Sequence, residues 1–515
     1  MRLPAAFRHF LLGLCASALL VGSALAATPA TVQIRVDAQA AGTPFPHFWE
    51  TMFGSGRASL SLRDDYRKDL DAVREATGLS YIRFHGIFDH DVGMVNRDPD
   101  GSIRYNFSYI DQIYDGLLEH GVKPFIELGF MPPALTSDPN ELQEFWYHPN
   151  RAPPKNYAEW DAMITAFARH LVARYGIDEV ASWYFEVWNE PNIGFWAGEP
   201  KQSTYYTLYD HTARALKAVN PRLRVGGPAT AQGAWATDFL AHTKKNNVPV
   251  DFLSTHVYGD DTAQNVFHSD EHIPRRDMVC RTVDKVHKEI LASPYPQMPL
   301  VFSEYNASYA NLPNVTDTVF MGPWMANTIR ECAGKIQIMS YWSFSDVFEE
   351  QGIVRNPFYG GFGLIAARRI PKPAFNAFAM LHKLGDRQLK SDSDSALVTR
   401  RDDGTVVLAL WNYAPPVGDT ASYTPGKPRG TNRHFSVDVR NLAAGAHATV
   451  WRLDENHGNA VAAFDQMGRP DFPSRAQIAA LRKAGEMAPP ERVDLHDGKL
   501  QLDIPPQGLV VVELR

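Results

Sequence analysis

The sequence predicts a (β/α)₈ barrel carrying an accessory all-β sandwich, and three observations lead there. Between residues 48 and 385, eight β-rich runs alternate with amphipathic helical stretches, a pattern that suits a closed parallel barrel better than an open sheet. After residue 386 come short β-type runs separated by Gly, Pro and Asp, the pattern of a sandwich. No Gly-x-Gly-x-x-Gly follows the first strand, so the usual mark of a dinucleotide-binding sheet is missing. The 515 residues are 44% hydrophobic and 21% charged, which argues against disordered, collagen-like and multi-span membrane classes. A formal charge of -7 without a long basic run leaves nucleic acid and anionic membrane without an attractive surface.

In chain order, residues 1–26 read as a cleaved signal peptide. Arg2 and Arg8 form the positive region, Phe10 to Gly22 the apolar run, and Ala24-Leu25-Ala26 the small-residue cleavage site. The apolar run is shorter than the roughly 20 residues of a spanning helix. The protein is therefore expected to be exported, to the periplasm or beyond, with no membrane segment in its mature form. Residues 27–47 hold a strand, Thr31–Val36, that is expected to join the sandwich. The barrel strands are expected at Trp49–Gly54, Tyr81–His85, Pro124–Phe130, Trp183–Glu190, Arg224–Gly227, Phe252–Tyr258, Leu300–Asn306 and Ile336–Phe344.

Helices are expected at Asp64–Thr77, Tyr109–His120, Tyr157–Tyr175 and Pro373–Leu384. In the first, Tyr66, Leu70, Val73 and Thr77 recur on one face. Gly78, Gly121 and Gly176 follow three of them as C-terminal caps, and Pro373 opens the last. The sandwich, residues 386–515, takes Ala396–Arg400, Val406–Trp411, His434–Val439, Ala448–Leu453, Leu500–Ile504 and Leu509–Leu514, with a helical insert at Ser474–Lys483. Beyond the leader only Cys280 and Cys332 remain. They could pair in an oxidising compartment, but a core of this size does not require it, and two buried free thiols are expected.

Two carboxylates stand out by position. Glu190, in Trp188-Asn189-Glu190-Pro191-Asn192, ends the fourth expected strand, and Glu304, in Phe302-Ser303-Glu304-Tyr305-Asn306, ends the seventh. In a barrel these strand ends form the functional face, and a carboxylate buried there without a partner is costly. Pro191 is expected to hold Glu190 extended, with its side chain toward the mouth. A carboxylate pair fits glycoside hydrolysis, in which one group protonates the leaving oxygen. A spacing of about 5–5.5 Å gives retention and about 6.5–9.5 Å inversion. Glu186, four residues before Glu190, is read as an inward structural layer residue. His85, Asp89 and His90 cluster, but no metal signature accompanies them, and no Gly-x-Ser-x-Gly elbow is present. No cofactor or metal is called for.

The segments Trp183–Asn192, Ser303–Tyr309 and Ser340–Glu350 together resemble glycoside hydrolase family 39, most of all its bacterial β-xylosidases. The likeness extends from Phe48-Trp49-Glu50 to Met467-Gly468-Arg469-Pro470. It implies a retaining, exo-acting enzyme that removes β-D-xylose from xylo-oligosaccharide ends, with Glu190 as acid/base, Glu304 as nucleophile and Asn189 on the sugar 2-hydroxyl. It also implies that His85 and His256 are polar groups at the sugar, that Phe130 and Trp342 line it, and that Tyr258 orients the nucleophile. Glu349 and Glu350 would accept from the 3- and 4-hydroxyls. The same family includes enzymes acting on arabinosides, iduronides and exopolysaccharides. A non-catalytic carbohydrate-binding protein on the same scaffold is the remaining alternative, and the presence of Asn189, Glu190 and Glu304 together speaks against it.

Overall fold

The computed structural model describes residues 31–418, 420–442 and 445–515, so the proposed signal peptide, 1–26, lies outside the described residues. Eight parallel strands close a barrel: Met52–Gly54, Tyr81–Phe84, Lys123–Leu128, Tyr184–Val187, Arg224–Thr230, Phe252–Tyr258, Leu300–Asn306 and Ile338–Tyr341. The ring is completed where Ser340 pairs with Met52 and Tyr341 with Phe53. The sixth and seventh strands have the expected bounds. Several others stop short of them, so His85, Phe130 and Glu190 belong to the loops beyond the ladder. Register slips between Thr255 and His256, and again between Phe302 and Tyr305. Irregularities of this kind re-aim side chains at barrel rims, and here they adjoin His256 and Glu304.

The expected helices are present at Asp64–Ala76, Ser108–Glu119, Tyr157–Tyr175 and Pro373–Leu381. Asp64 and Asp65 occupy the first turn of the first helix and Arg74 its last, a distribution that complements the helix dipole. Its buried face is Tyr66, Leu70 and Val73, with Thr77 as the cap beyond. Gly176 caps its helix with φ +80, a conformation that a side chain resists. Gly78 does not act this way. It is absent from the left-handed glycines, and a Cβ there would meet the Glu50 carboxylate at 3.1 Å, so its small size serves packing.

The accessory domain has two sheets. Seven strands run in the order Thr43–Pro44, Arg387–Leu389, Ala396–Arg400, Val406–Trp411, Leu509–Leu514, His447–Leu453 and Glu491–Asp494. The second sheet is Val32–Asp37, Arg433–Arg440 and Lys499–Ile504, with the N-terminal strand parallel to the middle one. Lys499–Ile504 alternates exposed and buried, as a half-buried strand should. Val406–Trp411 is buried throughout because its two faces serve two cores. Val406, Leu408 and Leu410 join the sandwich interior, while Val407, Ala409 and Trp411 join the barrel core. The larger sheet is thus pressed between the smaller sheet and the barrel.

The helical insert spans Arg475–Gly485, and Ser474 and Gln477 form a capping box at its start. A second helix, Ala460–Gln466, was not expected. It packs with the insert against Phe358, Ala366 and Ile370 of the barrel's last loop.

The free-thiol expectation is wrong. Helices Arg275–Leu291 and Met321–Cys332 pack side by side, bringing the Cα atoms of Cys280 and Cys332 to 5.1 Å, and the two form a disulfide. Their separation of 52 residues carries no pairing signal until that helix pair is known. Among the described residues no helix is long and apolar enough to cross a membrane.

Candidate active site

A cavity of about 330 Å³ opens at the C-terminal end of the barrel. Its lining includes His85, Asn189, Glu190, Tyr258, Glu304, Trp342 and Glu350, seven of the ten residues singled out from sequence. The other three lie elsewhere. Phe130 is fully buried behind His85 and Phe195, while Phe145 and Phe195 form the wall. His256 is also fully buried, beneath Glu190. Glu349 turns away and pairs with Arg63 at 2.9 Å and Arg57 at 3.4 Å.

Arg83 organises the floor. Within the run Tyr81-Ile82-Arg83-Phe84 it is wholly buried. It donates through Nε to Glu186 Oε2 at 2.6 Å, through Nη1 to Glu304 Oε1 at 2.6 Å, and through Nη2 to Asn189 Oδ1 at 2.9 Å. Glu127 lies 3.1 Å away. A planar guanidinium holds several acceptors in fixed directions, which an ammonium cannot do. Burial alone would lower its pKa, but the charges of Glu186, Glu127 and Glu304 raise it further. Sequence reasoning missed this residue. An arginine inside an apolar strand was the available signal, because a buried cation requires partners.

Glu304 is thereby held on two sides, since Tyr258 donates its hydroxyl to Oε2 at 2.6 Å. Burial, and then the Glu304 charge, push the Tyr258 phenol well above its usual range, so it stays a donor. Glu190 is held differently. Burial and the nearby Glu304 charge raise its carboxyl well above the usual carboxylate range. Among the described residues no Lys or Arg is paired with it; its partner is His256, with Nδ1 3.0 Å from Oε1. Glu190, His256 and Glu304 each offer an atom within 4.8 Å of the others. The expected extended backbone at Glu190 is not found: its φ is +44. The left-handed region costs a non-glycine residue on the order of 1–2 kcal/mol, and the Glu190 N–H bond to Ala229 O at 2.8 Å helps to hold it there. Strain of this kind collects at functional sites.

The hydrogen bonds around His256 run in one direction. Ser303 has a single proton, and it is donated to Glu186 Oε1 at 2.5 Å. The Ser303 oxygen can then only accept from His256 Nε2, 3.1 Å away. Burial first, and the charges of Arg83 and His85 after it, pull His256 well below its usual pKa, so the ring is neutral with its one proton on Nε2. Nδ1 then presents a lone pair to Glu190, and the pair is satisfied when Glu190 carries a proton.

His85 contacts Glu127 at 2.5 Å through Nδ1 and turns Nε2 toward Glu350, 3.6 Å away. Glu127 overcomes the effect of burial on His85 and raises its pKa. Burial pushes Glu350 up to about 8, against the pull of His85. None of the described residues lining the cavity is Lys or Arg. Besides the Glu190 set, His47, Glu50 and His382 could offer three atoms to a metal at the far end of the barrel. There both imidazoles already bond to Glu50, at 2.6 and 2.9 Å.

Comparison with known proteins finds a match to the model of glycosyl hydrolases family 39 over residues 32–494. A β-xylosidase of Geobacillus stearothermophilus is 39% identical over 89% of this chain and 90% of its own length. One from Caldicellulosiruptor saccharolyticus is 37% identical over 85% and 88%. A monomeric β-xylosidase from Caulobacter crescentus CB15, known from its crystal structure, superposes with a TM-score of 0.86 at 36% identity, covering 94% of this chain and 99% of its own.

Proposed function

The chain belongs to glycosyl hydrolases family 39, and from that premise we propose that it is an exported, retaining, exo-acting β-xylosidase. The carrying observation is the contrast between its two cavity glutamates. Glu304 accepts hydrogen bonds from Arg83 and Tyr258, one on each oxygen, while Glu190 pairs with no Lys or Arg among the described residues and has its pKa raised by burial and by the Glu304 charge. Glu304 attacks the anomeric carbon as Glu190 gives its proton to the departing oxygen, so that a covalent glycosyl-enzyme forms and the leaving sugar departs as an alcohol. Glu190, now ionised, takes a proton from water, and that water cleaves the ester bond and releases the sugar with its original configuration. Atoms of the pair within 4.8 Å support the short spacing of the retaining route.

Asn189, fixed by Arg83, is suited to the 2-hydroxyl, and Glu350 to a hydroxyl farther round the ring. A glycone carrying a carboxylate, such as an iduronide, would meet Glu350 and, among the described residues, no lining Lys or Arg, which favours a neutral sugar. The leader-like segment 1–26 supports export, and so does the Cys280–Cys332 disulfide, since such bonds persist in oxidising compartments.

The deciding measurement is kcat/KM across aryl β-xyloside, α-arabinoside, β-glucoside and α-iduronide. The β-xyloside should be fastest. Hydrolysis of none of them would remove the enzymatic reading, and a faster iduronide would remove the neutral glycone.

A further inference from the structure

The cavity has a closed end and an open end. His85, Asn189, Glu304, Trp342 and Glu350 are each no more than 8% exposed, and the loop above them is tied down. Trp146 donates its N–H to Glu350 O at 2.7 Å, and the Arg57 guanidinium lies 4.6 Å from the Tyr147 ring. The other end is formed by loops after the fourth to seventh strands, where Tyr309 is 60% exposed and Ile193 37%. A terminal sugar fills a closed end. The residue it is being cut from must lie toward the open one, past Glu190, which lines the same cavity.

An exposed tyrosine at a rim is often only solvated surface, but this one is held in place. Its N–H donates to Asp260 Oδ1 at 3.0 Å, and the neighbouring Ser308 hydroxyl donates to Asp260 Oδ2 at 2.5 Å. The ring meets Tyr258 edge-on, with centroids 6.4 Å apart and planes at 84°, and Tyr258 is the residue that bonds Glu304. The ring is therefore positioned relative to the reacting carboxylate while most of its surface stays open. An aromatic ring in that state suits the apolar face of a pyranose.

Resting on the β-xylosidase reading, we infer that Tyr309 is the stacking platform of the leaving-group subsite and takes the neutral pyranose from which the terminal sugar is cleaved. The test compares kcat/KM for xylobiose with that for β-xylosyl fluoride, whose leaving group has no ring to stack. In Tyr309→Ala the xylobiose-to-fluoride ratio should fall about 3- to 10-fold, the value of one aromatic contact, and Tyr309→Phe should restore it. An unchanged ratio in the alanine variant overturns the platform, as does an equal fall on both substrates, which would place the effect on Glu304 through Tyr258. A wild-type protein inactive on both substrates overturns the β-xylosidase reading and the platform with it.

Discussion

Arg83 and Lys372 are both fully buried cations, each surrounded by carboxylates, and they do different things. Lys372 reaches Asp317 at 2.7 Å, Asp346 at 2.8 Å and the Gly361 carbonyl at 2.8 Å. It joins the segments after the seventh and eighth strands to the start of helix Pro373–Leu381, and no partner of that cluster lines the cavity. Arg83 holds Glu186 and Glu127 in the same enclosed manner but also carries Asn189 and Glu304 to the cavity wall. A buried ion network is thus not itself a mark of function. What distinguishes the Arg83 network is one carboxylate with a second donor, Tyr258, at a surface a ligand can reach.

The sharpest way to break this comparison is to remove one carboxylate from the Arg83 set. Glu304→Ala should lower aryl β-xyloside hydrolysis by roughly 10⁴- to 10⁶-fold, the cost of deleting a nucleophilic group in other hydrolases. Azide should restore turnover by attacking the anomeric carbon in place of the carboxylate, giving a glycosyl azide of inverted configuration. Arg83 keeps Glu186 and Glu127, so thermal stability should change far less than rate. Full activity in this variant would refute the assignment of Glu304.

Lys372→Met should show the opposite pattern. It strands two aspartates whose burial already works against them, Asp346 being pushed up to about 6. Breaking a buried pair from one side typically costs about 3–5 kcal/mol. Denaturant melts should report that loss, while kcat/KM per folded molecule stays near wild type. A large catalytic defect with unchanged stability would mean the two networks are not separate.

The two networks were unequally legible in the sequence. Glu190 and Glu304 could be read because each stands at the C-terminal end of an apolar β-run, Tyr184–Val187 for the first and Leu300–Asn306, with its expected bounds, for the second. Arg83 was visible as a charge inside an apolar strand. Its partners lie 44 to 221 positions later, and only closure of the barrel brings them together. Phe130 and Phe195 differ by which way a loop turns, and strand periodicity does not reach past the last ladder bond. Pre-proline sterics predicted an extended Glu190; tertiary contacts with the Ala229 loop override that preference. The Ala460–Gln466 helix was missed because its stability comes from packing on Phe358, Ala366 and Ile370, which short-range pattern cannot show.

The second glutamate sharpens the comparison through pH. Activity that needs protonated Glu190 is present below its raised pKa and lost as pH rises through it, so the alkaline limb for aryl xylosides should lie well above the ordinary Glu range. With β-xylosyl fluoride, which needs little proton donation, that limb should fade. Ser303→Ala then tests the wiring. Without the Ser303 oxygen, His256 Nε2 loses its acceptor and the ring is free to carry its proton on Nδ1, where it donates to Glu190. A hydrogen bond to the ionised carboxylate favours that form, so the alkaline limb should move down by about one unit, the equivalent of one charge-assisted bond. Ser303→Thr keeps the hydroxyl and should keep the limb. A packing role alone would lower kcat at every pH and leave the limb where it was. That result would show that the protonation of Glu190 is set by burial and Glu304 alone, independently of the Ser303–His256 chain.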